Sequence, residues 1–107
     1  MKIDINELLI FFDELMPASD KEQGIYWLKT LRSDGLIITF AFSIYEEYVD
    51  IVIHNTSKID IASLSLDNCS EIRVLDENRK CLEVLHDNGS RRCFLSLLAS
   101  PILEYKE

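Results

Sequence analysis

Three stretches in the first half of the chain alternate large apolar residues with polar or small ones at a period of two. They are rich in β-branched and aromatic side chains and cover residues 25–32, 36–44 and 49–55. A period of two places alternate side chains on opposite faces of a β-strand, whereas a helix requires a period near 3.6. Asp34-Gly35 separates the first two stretches, and this dipeptide is a strong signal for a type I′ hairpin turn. The sequence therefore predicts three consecutive antiparallel strands.

The connection between the second and third predicted strands decides which side chains lie opposite one another. If Glu46 and Glu47 form a two-residue loop, Phe42 lies opposite Ile51 and the large apolar residues gather on one face. Two glutamates are poor residues for a type I′ turn, because that turn needs positive φ at both central positions. A longer loop that keeps the same alternation therefore remains open.

A helix is predicted near the start of the chain. Asp4 can accept a hydrogen bond as the N-cap residue, and Glu7 follows three residues later, as in a capping box. The helix is expected over residues 5–15 and ends before Pro17, because the residue preceding a proline is disfavoured in the α region. Ile10 falls on the opposite side and is expected at the surface. The predicted core face consists of the apolar residues at helical spacing, Ile5, Leu8, Leu9, Phe12, Leu15 and Met16.

The second half of the chain is a series of short predicted strands separated by turns. These strands cover residues 59–66, 69–75, 81–86, 91–98 and 102–105. A change of phase near Ala62-Ser63 indicates a β-bulge. We expect residues 1–107 to form one globular α+β domain, in which the helix packs on a mainly antiparallel β-meander sheet of about six or seven strands. A sheet that curls toward a half-barrel or a sandwich fits the same pattern.

Acidic residues outnumber basic residues in this chain. Its 107 residues include 19 Asp and Glu against 11 Lys and Arg, which gives a formal net charge of −8 and a pI near 4.7. A negative charge of this size repels nucleic acids and anionic membrane surfaces, so neither is expected as a direct partner. The composition therefore favours a basic partner.

The sequence carries no sign of export or of membrane insertion. It opens on Met1-Lys2-Ile3-Asp4, which leads into an acidic helix start, and its apolar runs are far shorter than the roughly 18 residues of a membrane helix. The cysteines at positions 69, 81 and 93 are odd in number and form no Cys-x-x-Cys pair, which favours reduced thiols. We therefore expect a cytoplasmic protein.

The residues that most often carry chemistry form no known motif. His54, His86 and the three cysteines fit no short zinc-binding spacing, and the chain has no Gly-rich phosphate loop, His-Glu-x-x-His or Gly-x-Ser-x-Gly sequence. The cysteines recur every 12 residues, a pitch that suggests alignment on one sheet face as buried packing residues. A nucleophilic Cys-His pair stays open, because sequence does not show which residues approach in space. We expect no metal, no cofactor and no enzymatic activity.

Negative charge is concentrated in the first half of the chain. Residues 1–50 hold 10 acids and 4 bases, whereas residues 51–107 hold 9 acids and 7 bases. Two tyrosines flank the carboxylates of the second predicted hairpin, and tyrosine offers a large contact area while nearby carboxylates steer a basic partner. We predict a protein-binding corner here, with an ordinary solvated hairpin as the alternative. The predicted corner consists of Tyr45, Glu46, Glu47, Tyr48 and Asp50, with Asp20 and Glu22 at its rim.

Two segments resemble small bacterial immunity proteins, which protect a cell from its own contact-dependent growth-inhibition or other polymorphic toxins. They are NCSEIRVLD at 68–76 and RCFLSLLASPILEY at 92–105, within a resemblance that covers residues 59–105. The resemblance implies a cytoplasmic antidote that binds one cognate toxin domain, often a nuclease, as a monomer in a 1:1 complex and without catalysis. It identifies no binding residue, since the matching segments are predicted core strands. The acidic bias suits this role, because nucleases are basic where they hold a phosphate backbone.

Two other classes of function remain open. The first is a small cytosolic ligand-binding domain or enzyme subunit, with a cavity under the helix in which the cysteines and histidines would matter. The second is an adaptor that pairs with its partner through the edge of a sheet.

Overall fold

The computed structural model describes residues 1–99 and 101–106. Ser100 and Glu107 belong to the expected domain 1–107, and Ser100 to the segment 92–105, but both lie outside the described residues. The elements in chain order are β1 (Lys2–Ile3), α1 (Ile5–Phe11), β2 (Glu14–Leu15), a short 3-10 helix (Lys21–Gln23), β3 (Ile25–Leu31), β4 (Ile37–Ser43), β5 (Tyr48–His54), β6 (Asp60–Leu66), β7 (Glu71–Asp76), β8 (Cys81–His86), β9 (Arg91–Ser96) and β10 (Leu103–Lys106).

The first sheet is an antiparallel meander with the strand order β2-β3-β4-β5-β6. Its three central strands are those predicted from the alternation, and their bounds agree with the prediction to within one residue. The large apolar side chains share one face, as predicted. Phe40 and Phe42 of β4 and Val49 and Ile51 of β5 are all 0% exposed.

The β4–β5 connection is longer than a two-residue loop. Phe42 pairs with Val49 rather than with Ile51, and residues 44–47 form the loop. Glu47 adopts a positive φ of 55° at its end. The register differs from the two-residue pairing by two positions, so every side chain keeps its predicted face. The longer-loop alternative is confirmed.

The β3–β4 hairpin forms at the predicted place with a different turn. Arg32 N donates to Leu36 O at 2.8 Å, and Gly35 N donates to Arg32 O at 3.0 Å. Gly35 has a φ of 88°. The Asp34 carboxylate accepts a hydrogen bond from Leu36 N at 3.1 Å, which stabilises a three-residue loop. The prediction of a two-residue type I′ turn is therefore wrong.

The expected single sheet of about six or seven strands is also wrong. A second five-stranded sheet has the order β1-β7-β8-β9-β10, with β1 parallel to β7 and the other pairs antiparallel. The chain changes sheets at 67–70, where Cys69 N donates to Glu47 O at 2.8 Å and Ser70 N donates to Leu85 O at 2.9 Å. Both sheets are open, so the half-barrel is wrong as well. Alternation shows which face of a strand is buried but not which sheet the strand joins.

The inner faces of the two sheets contribute to one hydrophobic core. Phe40 and Ile51 from the first sheet and Leu82 and Leu95 from the second are 0% exposed. The helical segment joins this core through Phe12, whose ring stacks on Phe40 with the centroids 5.1 Å apart. Burial of apolar surface between these layers is the main term that stabilises the fold.

The helix is shorter than predicted. It spans Ile5–Phe11, and Asp4 is its N-cap, with Oδ1 accepting from Glu7 N at 3.1 Å as expected. Phe12 is already extended, with a ψ of 149°. Lys80 Nζ donates to Phe11 O at 3.2 Å, which satisfies a carbonyl at the helix end. Within residues 1–99 and 101–106, no helix has the length and apolar character needed to cross a membrane.

The early end of the helix changes which side chains are buried. Leu8 and Phe11 are 1% and 2% exposed, whereas Leu9 and Leu15 are 36% and 37% exposed. Leu15 lies in β2, where the helical period no longer applies. The predicted core face is therefore wrong at Leu9 and Leu15, and it omitted Phe11. Ile10 is 67% exposed, which confirms its surface position.

The strands of the second half are found where they were predicted, with shifts of one or two residues at their ends. The expected bulge lies in the pairing of β5 with β6. Ile53 pairs with Ala62 and His54 pairs with Asp60, so Ile61 has no opposite residue. The bulge therefore lies directly before the predicted position.

Candidate protein-binding surface

The β4–β5 loop places Tyr45 and Glu46 at an exposed corner of the first sheet. Tyr45 is 72% exposed, and Glu46 is exposed beside it. The backbone of Glu46 is held by the Ser43 hydroxyl, whose Oγ accepts from Glu46 N at 3.1 Å. The corner therefore presents an aromatic ring and a carboxylate on an ordered loop.

The predicted rim residues come from a separate turn that packs against this corner. Glu22 lies in the 3-10 helix Lys21–Gln23, and Asp20 is the N-cap of that helix. Gly24 ends it with a φ of 66° and accepts a backbone hydrogen bond from the β4–β5 loop. The Tyr45 ring lies against Gly24, since a Cβ built there would be 3.1 Å from Tyr45 Cδ2. Asp20 and Glu22 are thereby held near Tyr45 although they are distant in sequence.

Tyr48 and Asp50 lie on the outward side of β5. In the sheet register, Tyr48 is opposite Ser43 and Asp50 is opposite Ala41, and both side chains are half-buried. Burial raises the pKa of the Tyr48 hydroxyl, and the carboxylates of Asp50 and Glu46 raise it further. The Tyr48 hydroxyl therefore stays protonated, and it can donate a hydrogen bond to a partner.

Glu47 supports the fold as well as carrying charge. Its backbone oxygen accepts from Cys69 N at 2.8 Å, and its Oε2 lies 3.2 Å from the amino group of Met1. These contacts tie the β4–β5 loop to the start of the second sheet. A substitution at Glu47 would change both folding and charge, so Glu46 and Asp50 are the better probes of binding.

One carboxylate of this region was not predicted from the sequence, the exposed Asp67 that follows β6. The pKa of the buried Cys69 thiol is raised to about 12 by burial first, and then by the carboxylates of Asp67, Asp87 and Glu47. Asp87 lies 3.4 Å from Arg91 Nη1. An acidic residue in the turn after an alternating strand is visible in the sequence. That it acts together with Glu47 on the Cys69 thiol follows only from the change of sheets at 67–70.

We refer to these residues together as the acidic surface. It combines four carboxylates and two tyrosines of the first sheet and its loops with the carboxylates of Glu47 and Asp67 near the change of sheets. The members are Asp20, Glu22, Tyr45, Glu46, Glu47, Tyr48, Asp50 and Asp67.

The cysteines are distributed over both sides of the second sheet. Cys81 pairs with Ser96 on the outer face and Cys93 pairs with Val84 on the inner face, so the suggested alignment on one face is wrong. Burial raises the pKa of Cys93 to about 11. A thiol that stays protonated at neutral pH is a weak nucleophile and a weak metal ligand. In the part of the chain that the structure describes, no three His, Cys, Asp or Glu side chains are grouped so as to hold a metal ion.

Comparison with known proteins gives a likeness in fold. No protein-family profile matches the chain, and no curated protein matches it. Among solved structures, the chain is similar to one chain of a contact-dependent growth inhibition toxin–immunity protein complex from Klebsiella pneumoniae 342. The TM-score is 0.74 at 17% sequence identity, over 98% of this chain and 93% of that chain. At this identity the likeness shows a shared fold. The protein that shares the fold is found in complex with another protein.

Proposed function

We propose that this chain is an immunity protein that binds a cognate toxin domain and neutralises it. The observation that carries the proposal is the similarity of fold to a chain of a toxin–immunity protein complex over 98% of the present chain. The segments at 68–76 and 92–105, which resemble immunity proteins, support the same role. Neutralisation proceeds through binding alone, and the chain itself is not an enzyme.

Charge favours the immunity role over the toxin role. A toxin that cleaves a nucleic acid must attract a polyanion, and a net charge of −8 opposes this. The buried thiols of Cys69 and Cys93, with pKa values near 12 and 11, are poorly suited to nucleophilic catalysis. The same negative charge attracts a basic protein.

The toxin that fits this surface best is a basic nuclease or ribonuclease. Such enzymes carry cationic residues where they bind phosphates, and the acidic surface can cover those residues and exclude the nucleic acid. Tyr45 and Tyr48 supply the apolar contact area, and the surrounding carboxylates supply the attraction at long range. The chain acts in the cytosol, as a monomer in a 1:1 complex with the toxin domain.

A ligand-binding role is less well supported. The hollow beside the start of α1 has a volume of about 290 Å³, and five of its eight lining residues are charged. Small-molecule sites are mostly apolar with a few polar groups. The charged lining is Lys2, Asp4, Glu7, Glu71 and Arg73. This composition differs from that of a typical ligand pocket.

The proposal is tested by co-expression in bacteria. A candidate toxin domain is taken from the open reading frame immediately upstream of this chain's gene and is induced in the cytosol, with and without the present chain. We expect growth to be arrested by the toxin domain alone and restored by the chain, and the two proteins to co-elute at equimolar ratio. Continued growth arrest in the presence of the folded chain would overturn the proposal.

A further inference from the structure

The outer face of the first sheet has two small side chains at its centre. Ala41 and Ser43 of β4 point away from the core, yet each is only 1% exposed. Their neighbours in the same rows on β3 and β5 are larger and half-buried, and they cover the two small side chains. One row runs Trp27, Ala41 and Asp50, and the next runs Ile25, Ser43 and Tyr48. We call these six residues the platform.

The platform has the composition of a protein-binding site. Trp27 and Tyr48 are of the residue types that most often dominate binding energy at interfaces, and here both are half-buried on the outward face of the sheet. Trp27 is the only tryptophan in the chain. It lies on β3 between the buried Tyr26 and Leu28, which places it on the opposite face from the core.

The platform is continuous with the acidic surface. Tyr48 and Asp50 belong to both, and Gly24, which contacts Tyr45, directly precedes Ile25. The cation of this face, Lys29, lies 3.6 Å from Glu14 and is thereby balanced. Asp50 therefore adds a net negative charge beside the aromatic side chains. The face is complementary to a basic protein surface.

The outer face of the second sheet is different. Its outward side chains carry nearly balanced charge and include an ion pair in which Arg73 Nη2 lies 2.7 Å from Glu83 Oε1. The bases are Lys2, Arg73, Arg92 and Lys106, and the acids are Glu71, Glu83 and Glu104. A half-buried aromatic residue, Phe94, lies among them. This face offers a matched control, with an aromatic residue but no net negative charge.

We infer that the platform is the contact surface for the toxin domain, with a cationic side chain of the toxin against the outward side chains of Trp27 and Asp50. A guanidinium group suits this position, because it can stack on the indole ring and pair with the carboxylate at the same time. The inference rests on the proposed function and adds to it a face, a central residue and the chemistry of the bound group.

Because Trp27 is the single tryptophan, its fluorescence reports on the platform directly. The chain is produced with 5-hydroxytryptophan at this position, so that it is excited apart from any tryptophan of the toxin domain. Acrylamide quenching is then measured with and without the toxin domain from the upstream reading frame. We expect the quenching constant to fall severalfold in the complex.

The outcomes of this experiment separate the inference from the proposed function. A complex in which Trp27 is quenched as in the free chain would overturn the platform while leaving the immunity role intact. Absence of both complex and growth protection would overturn the proposed function itself. If quenching of the chain without the toxin domain falls as the chain's own concentration is raised, a second copy covers the platform. This result would also overturn the inference.

Substitutions provide a second test. Trp27→Ala should weaken binding to the toxin domain by about 30-fold or more, as expected for a central aromatic contact. Phe94→Ala, on the outer face of the other sheet, should change affinity by less than about twofold. Trp27→Phe should recover part of the loss. Equal effects of Trp27→Ala and Phe94→Ala would contradict the inference.

Discussion

The ring of Tyr45 lies on the α-carbon face of Gly24, so closely that a Cβ at Gly24 would come within 3.1 Å of Tyr45 Cδ2. This contact joins the turn that carries Asp20 and Glu22 to the β4–β5 loop that carries Glu46. The acidic surface therefore depends on a glycine that carries no charge. Its φ of 66° and its contact with Tyr45 both favour glycine at this position.

Gly24→Ala is expected to destabilise the chain and to displace Tyr45. The positive φ alone costs about 1–2 kcal/mol for a residue with a Cβ. Gly35→Ala is the matched control, because Gly35 has a φ of 88° and no heavy atom within 4 Å of the added Cβ. Urea unfolding should show a larger loss for Gly24→Ala, and Tyr45→Ala should reduce the difference between the two variants. Equal losses would show that the Tyr45 contact does not matter.

The position of the helix in the core predicts unequal effects of two neighbouring substitutions. Phe12→Ala removes a ring that is 2% exposed and stacked on Phe40, and should cost about 3–5 kcal/mol. Leu9→Ala removes a side chain that is 36% exposed, and should cost about 1 kcal/mol or less. Urea unfolding of both variants tests this. Similar losses would show that the helix and the extended residue after it do not pack on the core as described.

Charge reversal at Glu46 and Asp50 should act on the rate of association. Lysine at both positions should slow binding of the toxin domain by about tenfold at low ionic strength and flatten its salt dependence. Glu77→Lys is the control, since Glu77 is an exposed carboxylate in the turn between β7 and β8. Stopped-flow measurements over a range of salt concentrations test the prediction. Glu77→Lys changes the charge by half as much as the double variant. If it slows association in that proportion, net charge rather than the acidic surface drives the encounter.

The buried thiols predict a loss of stability at alkaline pH. Burial raises the pKa of Cys93 to about 11, whereas a cysteine in the unfolded chain titrates near about 8.5. The unfolded state therefore releases the proton first as pH rises. The stabilising contribution is complete below about pH 8.5 and is lost as pH rises toward the folded-state value. Urea midpoints of the native chain should fall more steeply over this range than those of Cys93→Ala, and parallel curves would contradict the shift.

Much of the fold could be predicted from the sequence, because the alternation in residues 25–55 is strong. It determined the strands and their buried faces, and a register that differs by two positions at Phe42 left those faces unchanged. It did not predict two sheets, because alternation along β7 is the same whichever sheet the strand joins. The predicted burial of Leu9 and Leu15 was wrong, because nothing in the helical spacing indicated that Phe12 would be extended.

The residues of the candidate site could be predicted from the sequence, but the contacts that bring them together could not. The carboxylates and tyrosines of residues 45–50 stand out in the sequence. The packing of Gly24 against Tyr45, and the effect of both Asp67 and Glu47 on the Cys69 thiol, depend on tertiary contacts. Trp27 was not predicted as a binding residue, although the alternation along β3 that buries its neighbours places it on the outward face.

The most direct test of the account is an inhibition titration. Under the proposed function, the candidate toxin domain from the upstream reading frame is a nuclease. Its activity is measured while the chain is added at a toxin concentration well above the dissociation constant. We predict that activity falls linearly and reaches zero at one molar equivalent, and that Trp27→Ala requires a large excess to reach the same point. Full toxin activity in the presence of excess folded chain would contradict the account.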